Sequence, residues 1–136
     1  MRTKAEFEER WPTLMADIPC GFYCPKGWSD LVWNLIADID LELNGDFTVF
    51  DITQVKEKFG GLRFYYQFPN SKKHKSADYI SQLVEQAEGD SWGICLTCGT
   101  TEGVKTKIAG GGNFGWVASQ CDDCRENYNP RTPRSA

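Results

Sequence analysis

The chain has 136 residues, 40% of them hydrophobic, and a formal net charge of −4. A chain of this length forms one domain, or one domain with a small appended module, and its apolar content excludes a disordered or collagen-like protein. No apolar run approaches the roughly 20 residues of a membrane-spanning helix. The N-terminal segment MRTKAEFEER lacks the apolar stretch of a signal peptide. We therefore expect a soluble, cytoplasmic protein that does not bind membranes.

Two helical patterns occupy the N-terminal third of the chain. Thr3 and Glu6 have the spacing of a capping box, which predicts a helix that begins after Thr3 and is broken at Pro12. Ser29 is predicted to cap a second helix, which the pair Asn44-Gly45 ends. Apolar residues recur at helical spacing in both segments: Phe7, Trp11, Leu14, Met15 and Ile18 in the first, and Leu31, Val32, Leu35, Ile36 and Ile39 in the second.

The middle of the chain changes to an alternating pattern. Residues 47–68 predict two strands that are joined by a hairpin turn at Gly60-Gly61. Ser76 is predicted to cap a third helix, which ends near Gly89. This order of elements predicts an α+β fold, in which helices pack on one side of a short antiparallel hairpin sheet.

Four of the six cysteines have the spacing of a metal site. They form two C-x2-C pairs, CLTC and CDDC, with 22 residues between them, and two such pairs can direct four sulfurs at one tetrahedral Zn²⁺. A redox role for the first pair would need a βαβ context, and disulfides are not expected in the cytoplasm. We therefore predict one structural Zn²⁺, which changes the formal charge to about −6. Its predicted ligands are Cys95, Cys98, Cys121 and Cys124.

Cys20 and Cys24 remain outside this ligand set. Their C-x3-C spacing resembles half a metal site, but no further cysteines are left to complete it. We expect buried or partly exposed thiols, which oxidation can join in a disulfide.

The sequence around the cysteine pairs predicts a small module of known type. A zinc knuckle is followed by a hairpin with a glycine-rich tip, and Cys121 begins a short helical turn that Pro130 stops. This succession resembles a zinc ribbon or treble clef. We predict an α+β core over residues 1–91, a zinc-binding module over 92–128 and a flexible tail over 129–136.

The sequence contains no recognisable catalytic constellation. Its single histidine, His74, lies in KKHK on a predicted loop, where we expect a solvated side chain and where the flanking lysines repel a metal ion. The module therefore lacks the histidines of HNH nucleases, and no H-x-E motif of zinc deaminases is present. A shell of four thiolates leaves zinc no open position for water. We predict that the protein is not an enzyme, and we identify no small-molecule substrate.

Charge is distributed unevenly along the chain. Residues 1–58 contain 6 basic and 11 acidic side chains, so the negative charge lies in the N-terminal half. Basic and aromatic residues follow the hairpin, and a patch of this composition can stack bases or anchor a protein; a solvated face is the alternative. The predicted partner or nucleic-acid surface comprises Arg63, Tyr65, Lys72, Lys73 and Lys75.

The run VKEKFGGLRFYY, followed by a helix and a CxxCG motif, resembles small proteins that phages and prophages encode, a family without an assigned activity. The resemblance covers residues 28–124. It implies a phage or prophage setting, with the host cytoplasm as the compartment. It adds no catalytic residues.

Two functions are compatible with these observations. The first is a non-enzymatic accessory protein that binds a host protein, such as a defence or nucleic-acid-processing factor, and modulates or inhibits it. An acidic face would speed association with a basic partner. The second is a nucleic-acid-binding zinc-ribbon protein, which the basic loop favours and the overall negative charge opposes.

Overall fold

The structure is a computed structural model that describes residues 1–70, 73–111 and 115–135. Its elements confirm the predicted α+β class, with five helices and two antiparallel hairpins in the described residues. They are, in chain order, α1 (Lys4–Arg10), α2 (Pro12–Ala16), α3 (Ser29–Leu43), β1 (Asp51–Lys58), β2 (Gly61–Gln67), α4 (Ala77–Ser91), β3 (Lys105–Ile108), β4 (Val117–Gln120) and α5 (Asp122–Glu126).

The N-terminal helices form as their sequence predicts. Thr3 accepts a hydrogen bond from the backbone N–H of Glu6, whose carboxylate accepts from the N–H of Thr3, so the capping box is complete. Pro12 separates α1 from α2 because its missing N–H is tolerated only in the first turn of a helix. The third helix ends at Asn44, which has the left-handed conformation typical of a helix terminus.

Ser76 occupies the N-cap position of α4 as predicted, whereas Ser29 does not precede its helix, and neither hydroxyl makes a capping hydrogen bond. Ser29 is the first residue of α3, and its hydroxyl donates to the carbonyl of Lys26 at 2.7 Å and accepts from the N–H of Arg2 at 2.9 Å. Ser76 does precede α4, but its hydroxyl donates to Glu42 at 2.9 Å instead of capping the helix. Both hydroxyls therefore connect separate segments of the chain, which local spacing does not reveal.

The β1–β2 hairpin turns one residue earlier than predicted. Phe59 and Gly60 both have positive φ, and Gly61 already belongs to β2. Backbone N–H groups at the free edge of β2 are satisfied by α4: Leu62 donates to the hydroxyl of Ser91, and Phe64 donates to a Glu88 carboxylate oxygen. The helix thus closes an edge that would otherwise remain open to pairing.

The core extends from the helices to the cysteine module. Trp28 is fully buried, and its indole N–H donates to the carbonyl of Ile94 at 2.8 Å. Next to it, the N–H of Gly27 donates to the carbonyl of Leu96 at 2.8 Å. The largest fully buried side chains come from both parts of the chain: Trp28, Phe7, Phe50, Phe64, Ile36, Ile39, Ile52, Leu62, Ile80, Leu96, Gln120 and Val32.

Contacts also cross the predicted segment boundaries. The hydroxyl of Ser119 donates to the carbonyl of Gly60 at 2.6 Å, which joins strand β4 to the turn of the β1–β2 hairpin. In the predicted tail, the carbonyl of Arg134 accepts from the N–H of Lys26 at 2.9 Å. The division at residues 91 and 128 and the flexibility of the tail remain predictions.

None of the helices in the described ranges is both long and apolar enough to cross a membrane.

Replacing Gly27 with alanine should destabilise the protein, because the new Cβ would lie 2.0 Å from the carbonyl oxygen of Cys95. Backbone on both sides would have to move, so we expect a loss of about 2–3 kcal/mol in the free energy of unfolding. Chemical denaturation of metal-loaded protein measures this loss.

The matched control is Gly89→Ala, in α4, where a Cβ meets nothing within 4 Å. It should stabilise the helix by about 0.5–1 kcal/mol. Equal effects of the two substitutions would contradict the close contact at Gly27.

Candidate metal centre

The first cysteine pair lies in a tight knuckle before β3. The N–H of Gly99 donates to the carbonyl of Cys95 at 2.8 Å, and the N–H of Cys95 donates to the carbonyl of Thr100 at 2.9 Å. Gly99 has φ of +80°, a conformation that glycine adopts without a steric penalty. The chain therefore reverses within a few residues, as the CLTCG sequence predicts.

The second pair begins α5. Cys121 caps the helix, and its sulfur accepts a hydrogen bond from the N–H of Cys124 at 3.5 Å. The sulfurs of Cys98 and Cys121 are 3.8 Å apart, and all four sulfurs of the two pairs lie within 4.8 Å of one another. The four predicted ligands are thus together, in a cluster that can hold one metal ion.

Arg125 holds the second pair against the β3–β4 hairpin. Its buried guanidinium donates to the carbonyls of Lys105 at 2.6 Å, Ile108 at 2.7 Å and Ala118 at 3.2 Å. One side chain therefore connects α5 to both strands. The role of Arg125 is not predictable from the sequence, because an arginine after a cysteine pair has no spacing signature of its own.

In the metal-free cluster, the pKa values of three of the thiols are shifted, and the shifts differ in direction. Burial by itself would raise the pKa of Cys95, but the backbone N–H groups of Cys98, Cys121 and Thr97 outweigh it and lower that pKa to about 7. Burial raises the pKa of Cys98 and, together with the neighbouring thiols, that of Cys124. Metal binding therefore has to displace protons, and acid should weaken it.

The other two cysteines differ from each other in exposure. Cys20 is exposed, whereas Cys24 is buried, and its thiol donates to the carbonyl of Pro25 at 3.4 Å. Burial raises the pKa of Cys24 to about 12, which keeps it a protonated, unreactive thiol. All six cysteines lie in the described residues, and none is paired in a disulfide.

The predicted partner surface is only partly assembled as expected. Arg63 and Tyr65 lie on the outer face of β2, where Lys56 is the cross-strand neighbour of Arg63 and its Nζ lies 5.8 Å from the centre of the Tyr65 ring. Lys56 was missed because its pairing depends on the hairpin register. Of the predicted loop lysines, Lys73 and Lys75 are exposed and Lys72 lies outside the described residues.

The single histidine is not the solvated loop residue that the sequence predicts. His74 is half-buried, and its ring stacks on Phe68 with centroids 4.9 Å apart. Its Nδ1 accepts a hydrogen bond from the N–H of Ser76 at 3.1 Å. His74 therefore helps to shape the segment that leads into α4.

In comparisons with known proteins, no protein-family model, curated protein or solved structure matches this chain.

Chelation of the bound metal, or the substitution Cys98→Ser, should unfold residues 92–128 first. The loss of one ligand leaves an incomplete shell, and the knuckle then loses the cross-link to α5. Metal content by atomic absorption, followed by hydrogen exchange of the module and of α3, measures the effect.

The control is Cys20→Ser, which changes an exposed thiol outside the cluster. It should retain one metal ion per chain and full thermal stability. If verified metal removal left thermal stability and exchange unchanged, a structural role for the metal would be excluded.

Proposed function

We propose that this chain is a zinc-stabilised, non-enzymatic accessory protein of phage type, which binds a host protein and modulates or inhibits it. The observation that carries the proposal is the cluster of four cysteine sulfurs, which provides a complete ligand shell from the protein itself. The metal then supports structure, and the function lies on the surface.

The cluster geometry supports zinc as the metal. A regular tetrahedron with metal–sulfur bonds of about 2.3 Å has sulfur–sulfur edges of about 3.8 Å. The sulfurs of Cys98 and Cys121 are 3.8 Å apart. Four thiolates favour Zn²⁺ over hard cations such as Mg²⁺ and Ca²⁺. The order knuckle, hairpin and short helix supports a zinc-ribbon or treble-clef module.

The same shell argues against catalysis at the metal. A catalytic zinc keeps one position for water or substrate, and four protein ligands fill all positions of a tetrahedral site. His74 is engaged with Phe68 and Ser76, so it does not provide a free general base. These observations support a binding protein rather than a hydrolase or nuclease.

The outer face of α3 is the surface that best fits a basic protein partner. Asp30, Asn34, Asp38 and Leu41 follow one another at helical spacing, and all four are exposed. Leu41 is 78% exposed, the largest exposed fraction among the large apolar side chains that the structure describes. An apolar anchor among carboxylates can bind a pocket with a basic rim. The resemblance to phage-encoded proteins supports a host protein as the partner.

Metal-loaded protein should capture a specific host protein, and Leu41→Asn should weaken the purified complex about tenfold or more, because it removes the apolar anchor. Affinity capture with mass spectrometry identifies the partner. Titration calorimetry with the purified partner then measures the affinity.

The control is Tyr79→Asn, which changes a 49%-exposed apolar residue on α4 instead. It should bind like the unchanged protein. Capture of no specific partner, or equal losses from the two substitutions, would count against the α3 surface.

A second candidate, nucleic-acid binding, is favoured by the outer face of the β1–β2 hairpin. Lys56 on β1 pairs with Arg63 on β2 and lies over the Tyr65 ring, and Lys58 lies over the ring of Phe59, which is 67% exposed at the turn. Phe59 has φ of +53°, a conformation that is costly for a bulky side chain. An exposed ring in a strained turn, beside cations, resembles a platform for stacked bases.

A mobility-shift assay at low salt, with single- and double-stranded DNA and RNA, tests this candidate. Binding in the roughly micromolar range that Arg63→Ala weakens and added salt abolishes would support it, because phosphate contacts release counterions. Lys4→Ala, an exposed charge change on α1, is the control. Absence of any shift at low salt would exclude this function.

A further inference from the structure

Two adjoining cavities lie beside the metal module. The first has a volume of about 230 Å³ and the second of about 240 Å³, and Leu96, Trp116 and Arg134 line both. The guanidinium of Arg134 lies 4.4 Å from the centre of the Trp116 ring. The two cavities therefore form one groove along this stacked pair, with a total size in the range of small-ligand sites.

The groove is positively charged although the chain is acidic. Lys26 and Arg134 line the first cavity, and Lys56 and Arg134 line the second. Glu57 is the one carboxylate that lines either of them, within the described part of the chain, and it already accepts the N–H of Gly60 at 2.6 Å. The first cavity also borders Cys124, whose thiolate would be neutralised in part by a bound metal ion. This charge distribution favours an anionic ligand.

The walls of the groove are suited to a planar ring. Trp116 donates its indole N–H to the hydroxyl of Tyr128 at 2.9 Å, so the two aromatic side chains hold each other in place. Tyr128 lines the first cavity and Tyr23 lines the second. Aromatic rings and arginine guanidinium planes are the surfaces on which proteins stack nucleobases.

The side-chain carbonyl of Gln120 is a buried hydrogen-bond acceptor without a donor among the described residues. Gln120 is 1% exposed and lines the first cavity, and its Oε1 has no hydrogen-bond partner among the residues that the structure describes. Its Nε2 lies 3.5 Å from the hydroxyl of Thr97, which orients the amide. An unpartnered buried carbonyl is costly, so a ligand that offers an N–H group is favoured here.

We propose that this groove binds a nucleotide. The base enters the first cavity, stacks against the Trp116–Tyr128 wall and donates a ring or amino N–H to Gln120 Oε1. The phosphate lies between Arg134 and the neighbouring lysines, where an arginine can form charge-assisted hydrogen bonds. The site goes beyond the proposed function because it does not involve the face of α3. Its ligand is either a free mononucleotide or one nucleotide of a single strand.

Titration calorimetry of the metal-loaded, full-length protein tests the site. The probes are AMP, CMP, GMP and UMP, the matching nucleosides, inorganic phosphate, and five-residue single-stranded DNA and RNA. We expect at least one mononucleotide or oligonucleotide to bind with a dissociation constant in the roughly micromolar to millimolar range. The nucleoside and inorganic phosphate should each bind at least about tenfold more weakly, because each lacks one half of the contacts.

Two substitutions separate the contribution of the phosphate contacts from that of the base contact. Arg134→Gln should weaken nucleotide binding about tenfold or more, whereas Arg131→Gln, in the same segment but lining neither cavity, should not change it. Gln120→Met keeps the buried volume but removes the acceptor, and should weaken nucleotide more than inorganic phosphate. Metal content and thermal stability of each variant report whether it remains folded.

Binding of either a mononucleotide or an oligonucleotide supports the site. The one that binds more tightly shows whether the ligand is a free mononucleotide or part of a single strand. Three results would overturn the proposal. These are the absence of binding to folded, metal-loaded protein at millimolar nucleotide, equal losses in Arg134→Gln and Arg131→Gln, and equal affinity for nucleotide and inorganic phosphate.

Discussion

The approach of Gly27 to the first cysteine knuckle is the contact on which the rest of the structure depends. Its N–H binds the carbonyl of Leu96, and a Cβ at this position would overlap the carbonyl oxygen of Cys95. Trp28, the next residue, is fully buried and bonds to Ile94. The start of α3 and the metal knuckle therefore share one packed junction, so the helical core and the metal site stabilise each other.

A metal ion held by the four cysteines would therefore have a wider role than that of a local clamp. The knuckle contributes Leu96 both to the core and to the groove beside Trp116. The last described residues run next to it, where Ser135 pairs with Pro25. A disturbed knuckle would thus affect the groove at the same time as the helices.

The parts of the fold that local chemistry determines were predictable. The break at Pro12, the end of α3 at Asn44 and the convergence of two C-x2-C pairs all follow from the properties of a few neighbouring residues. The side-chain contacts of Ser29, Ser76 and Arg125 were missed, because their side chains bind partners that are distant in sequence. Hydrogen bonds of this kind leave no periodic pattern, so only the assembled chain reveals them.

Arg125 has a consequence for how the module can change over evolutionary time. Its guanidinium binds main-chain carbonyls of both β3 and β4, which every amino acid provides. The residues Lys105, Thr106 and Lys107 on β3 are all exposed. Exchange of these side chains would remove the Lys105–Asp122 ion pair and the Thr106–Ser119 hydrogen bond, but it would leave the main-chain contacts of Arg125 in place. The strand can therefore acquire new surface chemistry while the architecture beneath it persists.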